Sequence, residues 1–209
     1  MIHTIFFDLD NTIYSRDSGV WEEINKRINS YITDVLLIPG NQVFKIRRYC
    51  RENFGTSLKG LKSLYEIDEE EYLAYVHDID LSNILENDGK LTKLFQSISQ
   101  RKILFTNSDA AHAYRVLDYF GIRHYFDQII DLILLNPFVK PQPEAFTKAL
   151  SISNLPTADG CMFIDDMIEN IEQAIQLGFT SILVGDAADG ILHMPDIFSL
   201  PKIMTSMES

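Results

Sequence analysis

The sequence predicts an α/β protein, a doubly wound parallel sheet of Rossmann-like form with a helical segment inserted into it. Three observations carry that expectation. Short, uninterrupted apolar runs recur along the chain, as parallel strands covered on both faces require. Amphipathic stretches at helical spacing separate the later runs, and strands alternating with helices imply right-handed crossovers. The alternation breaks once, from about Ser18 to Leu85, where no strand pattern occurs.

Taken in order, Thr4–Phe7 is the first strand. Within the insertion, Trp21, Ile24, Ile28, Ile32 and Val35 form the apolar stripe of one long helix ending near Pro39-Gly40. Val43–Phe54 and Glu69–Val76 read as two more helices. The acidic run Asp68–Glu71 reads as a solvated helix start, since acids favour helix N-termini. After the insertion, Leu91, Leu94, Phe95 and Ile98 make a helical stripe before a second strand, Lys102–Phe105. Ala113, Val116, Leu117 and Phe120 make another, closed by Gly121. A third strand is expected over Ile129–Leu134. Pro143 suits the first turn of a helix running to about Leu150. Met162–Ile164 is the fourth strand, Ile168, Ile171 and Ile175 with Gly178 the next helix, and Ser181–Val184 the fifth strand. The expected domains are a catalytic core of residues 1–15 and 86–209 and a helical cap of residues 16–85.

Composition narrows the function. Of 209 residues, 46% are hydrophobic and 11% aromatic, enough for a sizeable core. The formal charge of −12 argues against nucleic acid or an anionic membrane as partner. It would repel a phosphorylated small molecule equally, unless a cation sits locally. No stretch approaches the ~20 apolar residues of a membrane span, and no secretory signal precedes Ile5-Phe6-Phe7, so a soluble, cytoplasmic protein is expected. Cys50 and Cys161 match neither a disulfide framework nor a zinc spacing. They read as buried thiols in a reducing compartment.

Polar clusters stand where the apolar runs stop. Asp8-Leu9-Asp10-Asn11-Thr12 follows the first strand, Thr106-Asn107-Ser108 the second, Lys140-Pro141 the third and Asp165-Asp166 the fourth. In an open parallel sheet the C-terminal strand ends share one edge, where ligands bind. Groups distant in sequence would converge there.

These residues resemble the motifs of the haloacid dehalogenase superfamily. Phe6–Thr12 matches the D-x-D-x-T signature of its phosphatases, and Thr106, Lys140 and Asp165-Asp166 match the remaining motifs. The helical insertion occupies the position of the family's cap. The resemblance implies a Mg2+-dependent phosphomonoester hydrolase. It assigns Asp8 as nucleophile and Asp10 as the acid that protonates the leaving group and then activates water. Thr106, Asn107 and Lys140 would bind phosphate. The metal ligands would be the Asp8 carboxylate, the Asp10 backbone carbonyl and Asp165, with Asp166 bound through water or supporting the loop. Physical chemistry agrees. Converging carboxylates repel by about 4 kcal/mol per pair at ~4 Å and effective ε ~20, and a hard cation with oxygen ligands relieves this. A neutral residue at position 10 would remove the acid step, so with Asp10 the chain resembles the phosphatases rather than the dehalogenases.

Each position has a plainer reading. Asp8 and Asp10 suit a strand-end Asx turn; Thr106, Ser108 or Asp166 suits a helix N-cap; Lys140 suits a solvated loop. Two cap stretches, Asn53–Leu61 and Tyr72–Asp78, resemble the pyrimidine 5′-nucleotidase branch, although Phe54 stands where that branch carries tyrosine. This likeness makes Phe54, Lys59 and His77 candidate substrate contacts. Packing within the cap is the alternative for Phe54, Tyr72 and Tyr75, and a surface or helix-end position the alternative for His77. A sugar-phosphate or phosphoglycolate-type phosphatase shares the core chemistry. A receiver-like switch phosphorylated on aspartate is the rival from another class, but its acidic pair follows the first strand and it needs no insertion of this size.

Overall fold

The structure, a computed structural model, describes residues 1–207. The chain divides into two compact units, Met1–Asp17 together with the chain from Glu86 onward, and Ser18–Leu85.

The first unit begins with β1 (Thr4–Phe7), after which the chain enters the helical unit. That unit holds α1 (Val20–Ser30), a π-helical turn (Tyr31–Val35), α2 (Gly40–Phe54), α3 (Ser57–Leu64) and α4 (Glu69–Val76). The expected long helix is therefore α1 widening into the π turn, where Leu36 N–H bonds to Tyr31 C=O. Its buried stripe is Val20, Ile24, Ile28 and Ile32. Trp21 and Val35, expected on that stripe, are exposed, because Trp21 stands one residue off the i, i+4 row and Val35 lies in the widened turn. Tyr31 packs edge-on against Tyr72 at 4.9 Å and Tyr75 at 5.4 Å. Asp68 starts α4 by accepting from Glu71 N–H. No sequence pattern marks α3, which is eight residues long and has Gly60 inside it. That glycine lets α3 approach α2 closely, since a Cβ there would lie 2.3 Å from the Cys50 Cβ.

The chain returns with α5 (Lys90–Ser97), β2 (Arg101–Phe105), α6 (Ala110–Tyr119), β3 (Gln128–Ile130) and α7 (Leu132–Leu135). It continues with α8 (Pro143–Ile152), β4 (Cys161–Asp165), α9 (Ile168–Gln176), β5 (Thr180–Val184), β6 (His193–Met194) and α10 (Leu200–Met207). The six strands form one all-parallel sheet in the order β3-β2-β1-β4-β5-β6. Central β1 aligns Thr4 with Arg101 of β2 and with Cys161 of β4, so the strand ends after Phe7, Phe105 and Ile164 fall side by side. The core beneath is aromatic: Phe6, Phe105, Phe146, Phe163 and Phe179 meet mostly edge to face.

Two expectations change here. The third strand stops at Ile130 instead of Leu134. Asp131 turns the chain by accepting from Leu134 N–H at 2.9 Å, and α7 begins. The apolar run beyond is helical, with Leu132 and Leu135 buried and Ile133 and Leu134 exposed. In α9 the buried face is Asn170, Ile171 and Ala174, while Ile168 and Ile175 are exposed. That rotation points a polar residue inward, with consequences at the site.

Candidate active site

Asp8 leaves β1 with its N–H still bonded to Ile164 C=O of β4, which fixes it at the sheet's carboxyl edge. Asp165 ends β4, and Thr106 follows β2 with its N–H on Ile130 C=O. Lys140 reaches this edge from the segment between α7 and α8 and is only 2% exposed. Its ammonium donates to Asp8 Oδ1 at 2.7 Å, Asp165 Oδ2 at 2.6 Å and Phe105 C=O at 2.8 Å. It is no solvated loop lysine. An ammonium has three donors, and all three are used. Burial opposes its charge, but the neighbouring Asp165 and Asp8 outweigh that and hold its pKa above the usual lysine value.

Around this ion pair negative charge is in excess. Oxygens of Asp8, Asp165 and Asp166 lie within 4.8 Å of one another. Burial pushes the Asp8 carboxyl well above its ordinary range; Lys140 pulls it down, and Asp165, Asp166 and Asp10 push it further up. Asp166 is also raised, by burial and by Asp165, against the pull of Arg16 and Asn11. A buried carboxylate cluster of this kind fits a hard divalent cation with oxygen ligands.

The two members of the acidic pair differ in occupancy. Asp165 is saturated: Oδ1 accepts from Met167 N–H (2.8 Å) and Asn170 Nδ2 (2.9 Å), and Oδ2 from Lys140 and again Asn170 (3.0 Å). Asp166 Oδ2 takes only longer bonds from Asn11 (3.3 Å) and the exposed Arg16 (3.2 Å). Among the described residues no donor reaches its Oδ1. Asp166 is thus the more open of the two to a cation, and Asp165 anchors Lys140. Asp166 does not cap α9, whose N-cap is Met167 without a side-chain bond.

Asn107 likewise has its side chain committed. Its Oδ1 accepts from Lys140 N–H at 2.9 Å and its Nδ2 donates to Lys140 C=O at 3.0 Å, which pins the lysine's backbone. Thr106 Oγ1 accepts from Ser108 N–H at 2.9 Å. The cap of α6 is Asp109, not Thr106 or Ser108.

Asp10 accepts from three side-chain donors. Its Oδ1 takes the Tyr14 hydroxyl at 2.5 Å and His112 Nε2 at 2.9 Å, and its Oδ2 takes the Ser108 hydroxyl at 2.5 Å. Burial alone would raise Asp10, but His112 and the three hydrogen bonds hold it well below the usual carboxylate range. Burial and Asp10 push the Tyr14 phenol well up, so it stays a neutral donor. Neither Tyr14 nor His112 belongs to a sequence motif. One signal was available: His112 lies one turn before Val116 on the buried face of α6, and a histidine on an apolar stripe needs a polar partner.

The remaining predicted residues lie in the helical unit. Phe54 ends α2 with its ring edge-on to Tyr49 at 6.2 Å. Lys59 is in the first turn of α3, whose N-cap Thr56 accepts from its N–H. His77 ends α4, as a helix-end histidine, but is buried rather than on the surface. Tyr72 is buried, its ring packed on Tyr31.

The fold and this acidic edge define a haloacid dehalogenase-like hydrolase, and the family model of that description matches residues 2–178. The chain belongs to that family. It is similar to phosphate metabolism protein 8 of Saccharomyces cerevisiae, 28% identical over 192 residues, 85% of this chain and 60% of the yeast protein. The chain therefore spans under two thirds of that relative. Among solved structures it is similar to a HAD phosphatase from Thermococcus onnurineus (TM-score 0.66, 15% identity, 97% of this chain and 98% of that one). A putative HAD hydrolase from Bacillus subtilis, bound to magnesium, gives a TM-score of 0.64 at 18% identity, covering 98% and 99%. A 2-haloacid dehalogenase from Pseudomonas syringae gives 0.62 at 18%, covering 99% and 100%. These structures share the fold. No described helix is long and apolar enough to cross a membrane.

Proposed function

We propose that the chain is a magnesium-dependent phosphomonoester hydrolase acting through phosphorylated Asp8, with pyrimidine nucleoside 5′-monophosphates as substrates. The observation that carries the reaction type is the pair of carboxylates in opposite settings at one strand end. Asp8 is charge-crowded and tied to a buried lysine, while Asp10, two residues on, is held ionised by hydrogen-bond donors. A dehalogenase needs the first carboxylate but has no alkoxide to protonate.

Asp8 attacks phosphorus as the bond to the leaving oxygen breaks, and Asp10 delivers a proton to that oxygen. Water then attacks the aspartyl-phosphate, its proton passes to Asp10, and the bond to Asp8 breaks to release inorganic phosphate. Because Asp10 rests ionised, the second step suits it as it stands. The first requires the arriving phosphate's charge to raise it. Lys140 holds Asp8 in place and offsets charge on the transferring group. Asp8, Asp166 and the Asp10 carbonyl would hold the magnesium ion, which neutralises the carboxylates and the phosphate when bound. Asp165 and Asn107 keep Lys140 in position.

The base preference rests on the likeness of Asn53–Leu61 and Tyr72–Asp78 to pyrimidine 5′-nucleotidases. Phe54 lacks the hydroxyl of that branch's tyrosine, so preference rather than exclusivity is expected, since stacking alone discriminates weakly among bases. The test is kcat/KM for uridine, cytidine, adenosine and guanosine monophosphates beside sugar phosphates, with magnesium. A pyrimidine advantage of about tenfold, ~1.4 kcal/mol at the transition state, supports the assignment. Faster turnover of purine nucleotides or sugar phosphates removes the nucleotidase reading and leaves the phosphatase one.

A further inference from the structure

We propose that Tyr14, Ser108 and His112 form a three-point clamp that fixes the Asp10 carboxylate for proton transfer and leaves one lone pair of Oδ2 free for the reacting oxygen. The inference rests on the phosphomonoesterase reading above and adds three positioning residues to it.

The argument starts from acceptor capacity. An ionised carboxylate offers about four lone-pair sites over its two oxygens. Tyr14 and His112 occupy Oδ1, and Ser108 occupies Oδ2. The site left over is on Oδ2, so the proton moves through that oxygen. A carboxylate has no hydrogen to give, so His112 Nε2 is the donor in its contact with Oδ1.

The three donors come from two stretches of chain, one beyond Asp10 and one that leads from β2 into α6. Tyr14 lies four residues beyond Asp10, Ser108 follows β2, and His112 is in the first turn of α6. The Tyr14 ring is 5% exposed and His112 1%, so neither changes rotamer without disturbing the core. The Ser108 backbone is held in turn by Thr106 Oγ1, and its carbonyl accepts from Leu132 N–H at 3.1 Å. A single donor would leave the carboxylate free to turn about its Cβ–Cγ bond. What three donors add is orientation. Proton transfer demands heavy atoms within about 2.6–3.2 Å, and a misplacement near 1 Å can cost on the order of 100-fold.

A clamp of this kind makes a prediction that a packing role does not. The value of kcat/KM covers only the steps through aspartyl-phosphate formation, in which Asp10 protonates the leaving group. A nitrophenolate leaves without that proton, whereas a phenolate benefits from it. The experiment compares 4-nitrophenyl phosphate with phenyl phosphate on the full chain with magnesium, in wild type, Tyr14→Phe, Ser108→Ala, His112→Ala and His112→Gln. Loss of a clamp donor is expected to lower kcat/KM for phenyl phosphate by about 10- to 100-fold, within the range general acid catalysis supplies. The loss for 4-nitrophenyl phosphate should stay below about threefold. His112→Gln restores an N–H donor near the Nε2 position and is expected to recover most of the loss.

Tyr14→Phe removes one oxygen and keeps the ring, so it carries the test if a His112 variant fails to fold. Equal losses on both esters, or no loss on either, overturn the clamp while the phosphatase assignment survives. If wild type hydrolyses neither ester and none of the nucleotides and sugar phosphates above, the phosphatase reading falls and the clamp with it.

Discussion

Replacing Asp8 with asparagine should abolish turnover and at the same time make the metal-free protein more stable. Most substitutions of a buried residue destabilise, so the sign is a demanding test. Without a metal, Asp8 lies beside Asp165 and Asp166, with one carboxylate oxygen of each within 4.8 Å of the others. At an effective dielectric of ~20, each such pair repels by at least about 3.5 kcal/mol. The 2.7 Å contact with Lys140 returns about 6 kcal/mol on the same scale, which nearly cancels the two repulsions. The desolvation of a buried carboxylate then tips the balance against the charge. Asparagine keeps an oxygen for Lys140 at nearly the same volume. The net gain is about 1–3 kcal/mol, which for a chain of this size is a rise in Tm of about 2–7 °C. Thermal unfolding is to be followed by circular dichroism after exhaustive EDTA treatment, then repeated with magnesium. Wild type should gain stability from magnesium by mass action, and Asp8→Asn should gain much less. A variant less stable than wild type without metal, or equally stabilised by magnesium, refutes the electrostatic account of the site.

Removing the counter-charge should act in the opposite direction. Lys140→Met leaves Asp8 and Asp165 buried without their cation, and a loss of about 3–5 kcal/mol is expected in urea unfolding; a change under 1 kcal/mol would show that Lys140 is not the keystone of the cluster. In the helical unit, Gly60→Ala would set a methyl 2.3 Å from the Cys50 Cβ. It should cost about 1–3 kcal/mol by overpacking, and Cys50→Gly in the same chain should recover part of it. Additive losses in the double variant would mean that close approach of α2 and α3 is not the reason for the glycine.

The sheet edge was legible because parallel topology turns a list of strand-end residues into neighbours. Asp8, Thr106, Lys140 and Asp165 needed no side-chain information to be brought together, only the order of apolar runs. Errors arose where side-chain hydrogen bonds overrode hydropathy. Ile129–Leu134 reads as one apolar strand, but Asp131 caps a helix inside it. The face of α9 was misread by weighing isoleucines alone, whereas Asn170 turns inward because Asp165 needs its donors. Asn107 reads as a phosphate donor from its place beside Thr106; its side-chain amide is bonded to the Lys140 backbone, which leaves its own N–H for that role. The donors on Asp10 were the hardest to foresee. Tyr14 lies in an unpatterned stretch, and His112 is remote in sequence and joins Asp10 only through the packing of α6.

The claim that Asp8 carries the phosphoryl group can be tested on the residue itself. Wild type and Asp10→Asn, whose aspartyl-phosphate is expected to hydrolyse more slowly, are mixed with magnesium and 4-nitrophenyl phosphate, which needs no proton on its leaving group, then quenched in acid and reduced with borohydride. Reduction converts an aspartyl-phosphate to homoserine, which peptide mass spectrometry locates. Homoserine is expected at position 8, more of it in Asp10→Asn, and none when EDTA is present. Phosphate release with unmodified Asp8 in both proteins, or homoserine at another aspartate, would contradict the account.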